Sequence, residues 1–224
     1  CATRWPGSDP VHKEYTMHNT AIRLASIVVA LGAALSTPLP AFAAAAVGQA
    51  APAFSATDTS GKTVSLADFK GRTVVLEWVN PGCPFVRKHY DSANMQATQK
   101  SAAAKGVVWL AINSTHAGAS DYLAPAALAG WMKDQGAAPA ATLMDADGKL
   151  GRAYGARTTP HMYVIDARGA LVYAGAIDNK PTANAADIKG ATNHVNQALA
   201  ETLAGTPVSM ATSQAYGCSV KYAD

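Results

Sequence analysis

Cysteine is scarce in this sequence, with 3 among 224 residues. Small folds held together by disulfides need many more, so folding must rest on a hydrophobic core, for which 49% hydrophobic residues suffice. An excess of charge is also missing, since the net charge is only +3. No cluster of lysine and arginine, phosphate-binding glycine loop or repeat is present, so we expect no nucleic acid partner and no cofactor.

A long hydrophobic run is lacking as well. The apolar run near the N-terminus covers residues 24–35 only, which is too short to span a bilayer comfortably. A positive charge precedes it, and prolines and an Ala-Phe-Ala site ending at Ala43 follow, an order typical of a secretory signal peptide over residues 17–43. Residues 1–16 precede the first methionine and are interpreted as a non-native upstream extension. We expect a periplasmic protein, cleaved near Ala43, with no membrane span afterwards.

Strand-like and helix-like segments alternate after the signal region. Strands are predicted at 54–57, 63–66, 73–79, 107–112, 141–144, 162–166 and 170–176. Helices are predicted at 84–104, from a cap at Ser120 and Asp121 to about Gly136, at 150–154 and at 185–203. The alternation indicates an α/β fold with a central mixed β-sheet flanked by helices, and the first two strands form an N-terminal β-hairpin.

Cys83 lies where a buried strand meets the helix that begins at Pro84. The N–H groups and the dipole at a helix start stabilise a thiolate, and functional groups gather at the carboxyl ends of strands in open α/β sheets. This position favours a reactive nucleophile. The alternative is a buried cysteine that acts as a small hydrophobic residue.

Four segments carry a family resemblance. Residues 80–86, Asn-Pro-Gly-Cys-Pro-Phe-Val, resemble the active-site segment of thioredoxin-like proteins, and residues 155–166 resemble the loop that carries their cis-proline. Residues 47–54 and 65–71 are similar to the start of the redoxin branch, the alkyl hydroperoxide reductase and thiol-specific antioxidant (AhpC/TSA) proteins. In order, the matches cover nearly all of residues 47–205 and imply a thioredoxin-like redoxin domain.

The resemblance also implies a substrate-binding surface beside Cys83. In the resembled fold, Thr159 and a cis Pro160 would hold the extended chain of a partner by backbone hydrogen bonds. Pro84 and Phe85 complete the predicted substrate-binding set.

The sequence departs from both patterns of the resembled family. Val86 occupies the position of the second cysteine in the thioredoxin Cys-x-x-Cys motif. In the peroxiredoxin motif, Asn80 occupies the position of a Thr or Ser, and Leu76 occupies the position of a Pro. The closest resemblance is to peroxiredoxin-like proteins that keep only the first thiol and end in a Gly-Cys-Ser tail, as residues 217–219 do.

Glu77 is a candidate proton carrier, because it lies six residues before Cys83 within an apolar strand. Burial should raise its pKa, and thioredoxins have a buried acid at the matching offset. The alternative is a strand-end carboxylate that reaches solvent or pairs with Arg72 or Lys105. His161 is a second candidate base, and its alternative is a packed or surface residue.

Related copper-delivery redoxins bind copper with a Cys-x-x-x-Cys motif and a distant histidine. Here Cys83, His89, His116 and His161 would be the candidates, but Arg87 occupies the second cysteine position. No metal site is therefore expected. His89 is predicted to lie on the solvated face of its helix.

Cys218 lies in a tail, residues 206–224, and three roles remain open for it. It is a candidate resolving thiol that captures oxidised Cys83 as a disulfide, half of a permanent structural disulfide, or an unrelated free thiol.

The leading hypothesis is an exported thiol oxidoreductase that acts on protein thiols and disulfides or on peroxide, with a reducing partner that the sequence does not identify. A true peroxidase would need an activating arginine, for which Arg157 and Arg87 are candidates. The competing hypothesis is a non-catalytic thioredoxin-fold binding module of the periplasm.

Overall fold

A computed structural model describes residues 45–223. The predicted extension, 1–16, and the predicted signal peptide, 17–43, lie outside the described residues. Within residues 45–223, no helix is both long enough and apolar enough to cross a membrane.

Nine strands and five α-helices make up this region. The strands are β1 (Ser55–Asp58), β2 (Thr63–Ser65), β3 (Val74–Trp78), β4 (Val108–Asn113), β5 (Ala141–Met144), β6 (Thr158–Thr159), β7 (His161–Ile165), β8 (Leu171–Gly175) and β9 (Cys218–Ser219). The helices are α1 (Pro84–Asp91), α2 (Asn94–Ala104), α3 (Pro125–Asp134), α4 (Lys149–Tyr154) and α5 (His194–Leu203), with 3-10 turns at Leu66–Phe69 and Ala185–Gly190.

The central sheet has seven strands in the order β2-β1-β5-β4-β3-β7-β8. Strands β3, β4 and β5 run parallel, and β7, β8, β1 and β2 add antiparallel pairs. The predicted mixed sheet and both predicted hairpins are therefore confirmed. Every residue of β3 and β4 is buried, as expected of central strands that helices cover on both faces.

Two apolar layers enclose the sheet, and β3 contributes to both because its side chains alternate between the faces. Val75 and Val79 join the layer formed with α1, α2, α3 and α5. Leu76 and Trp78 join the opposite layer, beneath α4. By this alternation Glu77 points into the first layer, which also contains Cys83.

The single helix predicted over 84–104 is wrong, since α1 and α2 are separate. Ala93 takes a left-handed conformation with φ of 61°, which breaks the hydrogen-bond ladder. The Ser92 hydroxyl donates to the carbonyl of Lys88, and the Gln96 amide donates to that of Tyr90 at 2.9 Å. These side chains satisfy the freed carbonyls, so the chain tolerates a break that the helical pattern does not reveal.

Two further helix boundaries differ from the prediction. Helix α3 begins at Pro125 after Ala124, and Asp121 is not its cap, because Asp121 binds the loop before Cys83. The helix predicted over 185–203 is a 3-10 turn followed by α5, whose cap is the Asn193 side chain.

Candidate functional site

Cys83 is the N-cap residue of α1 at the carboxyl end of the central strand β3. Pro84 occupies the first turn of that helix, where its missing N–H costs nothing. The thiol is only 2% exposed and donates a hydrogen bond to the carbonyl oxygen of Thr159 at 3.0 Å. The sulfur therefore lies between a helix N-terminus, which favours negative charge, and a backbone acceptor.

The loop before Cys83 is shaped by Asn80, a role that the sequence reasoning missed. Its side-chain oxygen accepts from the N–H of Gly82 at 2.8 Å, and its amide donates to Asp121 at 2.8 Å and to Thr115 at 3.2 Å. A Cβ at position 82 would lie 3.1 Å from the Cβ of Asp121, so glycine allows the two loops to pack. The asparagine two residues before a glycine was the available signal, because Asx turns are built in this way.

The tail brings Cys218 to Cys83, although the two are far apart in sequence. The backbone N–H of Cys218 points to the sulfur of Cys83, with 3.4 Å between nitrogen and sulfur. Strand β9 pairs antiparallel with β6, which sets Cys218 opposite Thr159 and Ser219 opposite Thr158. Both cysteines are free thiols.

The two thiols lie in different surroundings. Burial, followed by hydrogen bonding and charge interaction with Cys83, raises the pKa of the Cys218 thiol to about 12, and Asp121 adds to the rise. The Cys218 thiol is therefore held in its protonated form, while Cys83 is the cysteine that lies at a helix N-terminus. This asymmetry points to Cys83 as the attacking sulfur.

The loop opposite Cys83 has the geometry that the resemblance implied. The peptide bond between Thr159 and Pro160 is cis, which confirms that prediction. Gly217 crosses the Thr159 carbonyl with a φ of 137°, and a Cβ at this position would collide with the carbonyl oxygen. Only glycine lets the tail approach so closely, because any side chain would strike the carbonyl.

Tyr216 anchors the tail on one side of the cysteines. Its hydroxyl donates to Asp178 at 2.5 Å and lies 3.3 Å from the His89 ring, and its ring packs edge-on against Phe85 with centroids 5.9 Å apart. Lys88 and Asp178 form a buried ion pair at 3.6 Å with side chains 0% and 2% exposed. The predicted substrate-binding residue Phe85 thus contacts the chain's own tail.

Tyr222 anchors the tail on the other side. Its hydroxyl donates to the carbonyl of Ala156 at 2.7 Å, and the Arg152 guanidinium lies 4.7 Å from its ring centre. The ring packs so closely on α4 that a Cβ at Gly151 would lie 2.8 Å from it. Between the anchors, the N–H of Val220 donates to the carbonyl of Arg157 at 3.0 Å.

Glu77 is fully buried and receives three hydrogen bonds. Tyr90 donates to one carboxylate oxygen at 2.8 Å, and Trp109 and Gln99 donate to the other at 2.7 and 3.1 Å. Burial raises its pKa to about 7, partly offset by these donors. The alternative pairing with Arg72 or a lysine is wrong, because Glu77 points into the core and Arg72 binds the carbonyl of Gly106 instead.

The other candidate bases and arginines are engaged elsewhere. The His161 ring accepts from the N–H of Arg157 and contacts Tyr163, and burial, with the charge of Arg157, lowers its pKa to about 4. Arg87 donates to the carbonyl of Pro81. Among residues 45–223, no guanidinium hydrogen-bonds to the sulfur of Cys83.

The prediction that His89 is solvated is wrong. Its side chain is 0% exposed, with Asn94 at 2.8 Å from one ring nitrogen and Tyr216 near the other. Burial lowers its pKa to about 4, against the opposing effect of Asp178. In the part of the chain that the structure describes, no three His, Cys, Asp or Glu side chains are arranged to hold a metal ion.

Sequence reasoning did not single out Tyr216, Lys88 or Asp178. Lys88 lies five residues after Cys83 on a helix, where a lysine normally faces solvent. No local pattern links these positions, and an aromatic residue two positions before Cys218 was the only hint.

Solved structures of similar fold come from several bacteria. A hypothetical protein from Sinorhizobium meliloti 1021 is 24% identical with a TM-score of 0.67, over 81% of this chain and 97% of that one. An uncharacterized conserved protein from Geobacillus kaustophilus is 27% identical with a TM-score of 0.66, over 80% and 93%. A provisionally named thiol:disulfide interchange protein DsbE from Chlorobium tepidum is 23% identical with a TM-score of 0.54, over 71% and 99%.

These likenesses confirm the predicted thioredoxin-like fold. No curated protein matches the chain. The model of the AhpC/TSA family matches residues 47–174, which include β1 to β7, the Cys83 loop and the cis-proline loop. On this match, together with the geometry of those two loops, the chain belongs to the AhpC/TSA family.

Proposed function

We propose that this chain is an exported thiol oxidoreductase in which Cys83 is the nucleophile and Cys218 resolves its oxidised form. The observation that carries the proposal is the approach of the Cys218 backbone to the Cys83 sulfur, at 3.4 Å, in a chain that has only these two cysteines after residue 44. Export rests on the signal-like pattern of residues 17–43.

The chemistry follows from the asymmetry of the two thiols. With a peroxide, the Cys83 thiolate attacks one oxygen, the O–O bond breaks, and the other oxygen leaves as an alkoxide or hydroxide that takes up a proton. With a disulfide, the same thiolate forms a mixed disulfide and releases one thiolate. The product in either case is an electrophilic sulfur on Cys83.

Cys218 then completes the cycle. Its sulfur bonds to Cys83, and its proton departs with the leaving group, as water from a sulfenic acid or as a thiol from a mixed disulfide. An external thiol reductant must reduce the resulting Cys83–Cys218 bond. Glu77, whose pKa burial raises to about 7 and whose side chain points to the face of β3 where Cys83 packs, is proposed as the group that exchanges protons with this thiol.

Mass spectrometry of the mature protein tests this proposal. We expect stoichiometric hydrogen peroxide, and separately hydroxyethyl disulfide, to remove two hydrogen atoms from the wild type by forming a reducible Cys83–Cys218 bond. Cys218→Ser should instead accumulate a sulfenic acid or a mixed disulfide on Cys83. Cys83→Ser should react at least about tenfold more slowly than wild type, because Cys218 lies in a strand and not at a helix N-terminus, and burial, the largest cause of its raised pKa, remains in the variant.

Free cysteine under the same conditions is the reference. If neither thiol of the wild type reacts faster than free cysteine, the enzyme proposal is wrong and the non-catalytic binding module takes its place.

A further inference from the structure

Strand β6 has an edge beside Cys83 that can pair with an extended chain, and the protein's own tail fills it. The register sets Cys218 opposite Thr159 and Ser219 opposite Thr158, and Val220 continues the ladder by donating to Arg157. Strand edges bind extended polypeptides through the same backbone hydrogen bonds. One edge accepts one strand, so a second chain cannot pair with β6 while the tail is docked.

The tail is fastened on both sides of this pairing. On one side the Tyr216 hydroxyl bonds to the buried carboxylate of Asp178, and on the other the Tyr222 hydroxyl bonds to the carbonyl of Ala156. The backbone of Lys221 also accepts from the N–H of His116 at 2.9 Å. These contacts position a seven-residue segment, 216–222, across the mouth of the site.

The docked segment also buries the reactive sulfur. Cys83 is 2% exposed, and Gly217 lies directly against the Thr159 carbonyl, so the tail occupies the side of β6 that an incoming chain would approach. A small oxidant needs only a local opening above the sulfur. An extended polypeptide needs the whole edge, because its backbone must take the place of residues 217–219.

We propose that the tail occludes this edge, the surface on which the family resemblance implies that an extended polypeptide binds, so that docked protein reacts with small oxidants and not with polypeptide disulfides. This inference rests on the proposed function and deepens it by naming how access to that site is regulated. The small oxidant is a hydroperoxide or a low-molecular-weight disulfide, and its reaction with Cys83 is balanced as given above. Polypeptide disulfides react only with protein whose tail has left the edge.

Releasing the tail without removing a thiol tests the inference. Gly217→Ala introduces a Cβ that collides with the Thr159 carbonyl, and Val220→Pro removes the N–H that bonds to Arg157. The probes are hydroxyethyl disulfide and the symmetrical disulfide dimer of a peptide with the sequence of residues 214–221. The peptide carries the contacts that the edge recognises, and both probes undergo the same thiol–disulfide exchange.

The measured quantity is the rate of thiol release from the peptide dimer divided by that from hydroxyethyl disulfide. We expect this ratio to rise at least about tenfold in both variants, the scale set by losing a few net hydrogen bonds between tail and edge. Gly190→Ala, where a Cβ meets nothing within 4 Å, and Val220→Ala, which keeps the N–H, are the matched controls and should keep the wild-type ratio. Faster trypsin cleavage after Lys221 verifies that the tail has left.

The outcomes separate the two proposals. If the tail is released and hydroxyethyl disulfide still reacts, but the ratio stays at the wild-type value, the inference is overturned and the proposed function stands. If neither probe reacts with any variant faster than with free cysteine, the proposed function fails and the inference fails with it.

Discussion

Replacing Asp178 with asparagine is expected to lower the free energy of unfolding by about 3–5 kcal/mol, the cost of leaving one member of a buried ion pair without its partner. The side chains of Asp178 and Lys88 are 2% and 0% exposed. His89 cannot stand in for the lost carboxylate, because an imidazole is never negatively charged, and with its pKa lowered to about 4 its ring is neutral near pH 7. The Lys88 ammonium would keep only neutral acceptors, the carbonyl of Lys180 and the hydroxyl of Tyr216.

Urea denaturation followed by tryptophan fluorescence measures this loss. The matched control is the double variant Lys88→Met with Asp178→Asn, which removes both charges while asparagine still accepts from Tyr216 and Lys180. We expect the double variant to be more stable than Asp178→Asn alone, since replacing both members of a buried pair is often nearly neutral. A single variant within about 0.5 kcal/mol of wild type, the range of ordinary surface substitutions, would contradict the expectation.

Glu77 is expected to make wild-type stability fall as the pH rises from about 4.5 to 7. Burial raises its pKa in the folded protein to about 7 from an ordinary value of 4.5. Between these values the folded protein binds more protons at Glu77 than the unfolded chain does, so its contribution is complete below pH 4.5 and is lost through pH 7. A shift of this size corresponds to about 3 kcal/mol, at about 1.4 kcal/mol per pKa unit.

The comparison of wild type with Glu77→Gln isolates this effect. Glutamine keeps an acceptor for Trp109 and Gln99 and does not titrate. Other buried acids, such as Asp145, whose pKa burial also raises, contribute equally to both proteins and cancel in the difference. The unfolding free energies of wild type and Glu77→Gln, measured from pH 4.5 to 8, should therefore approach each other toward acidic pH. Above pH 7 the difference between the two proteins should be larger by about 3 kcal/mol. Parallel curves would show that Glu77 ionises in the folded protein as it does in the unfolded chain.

The two variants probe different parts of one site. Asp178 supports the anchor of Tyr216, so its loss should also loosen the tail that carries Cys218. Glu77 lies in the core behind Cys83 and makes no contact with the tail. A change in the oxidation kinetics of both variants would connect the core carboxyl and the tail anchor to the same thiol chemistry.

Much of the fold could be predicted from local patterns. The continuous apolar segment around Val75 favours a central strand, and the short strands predicted at 54–57 and 63–66 favour a hairpin; both appear in the structure where expected. The break at Ala93 could not be predicted, because the helical pattern continues through it and long-range side-chain contacts stabilise it.

Within the candidate site, the sequence by itself determined the position of Cys83 at a strand–helix junction, because that junction depends on a short segment with strong local preferences. The cis Thr159–Pro160 bond was predicted from the family resemblance, since most X-Pro bonds are trans and local preference does not favour cis. Only the tertiary structure decided that Cys218 lies beside Cys83. That approach depends on Tyr216 meeting a buried ion pair and on Gly217 meeting a carbonyl, contacts between residues separated by dozens of positions. Such contacts leave no periodic signal, since each partner is chosen by packing in space and not by its neighbours along the chain.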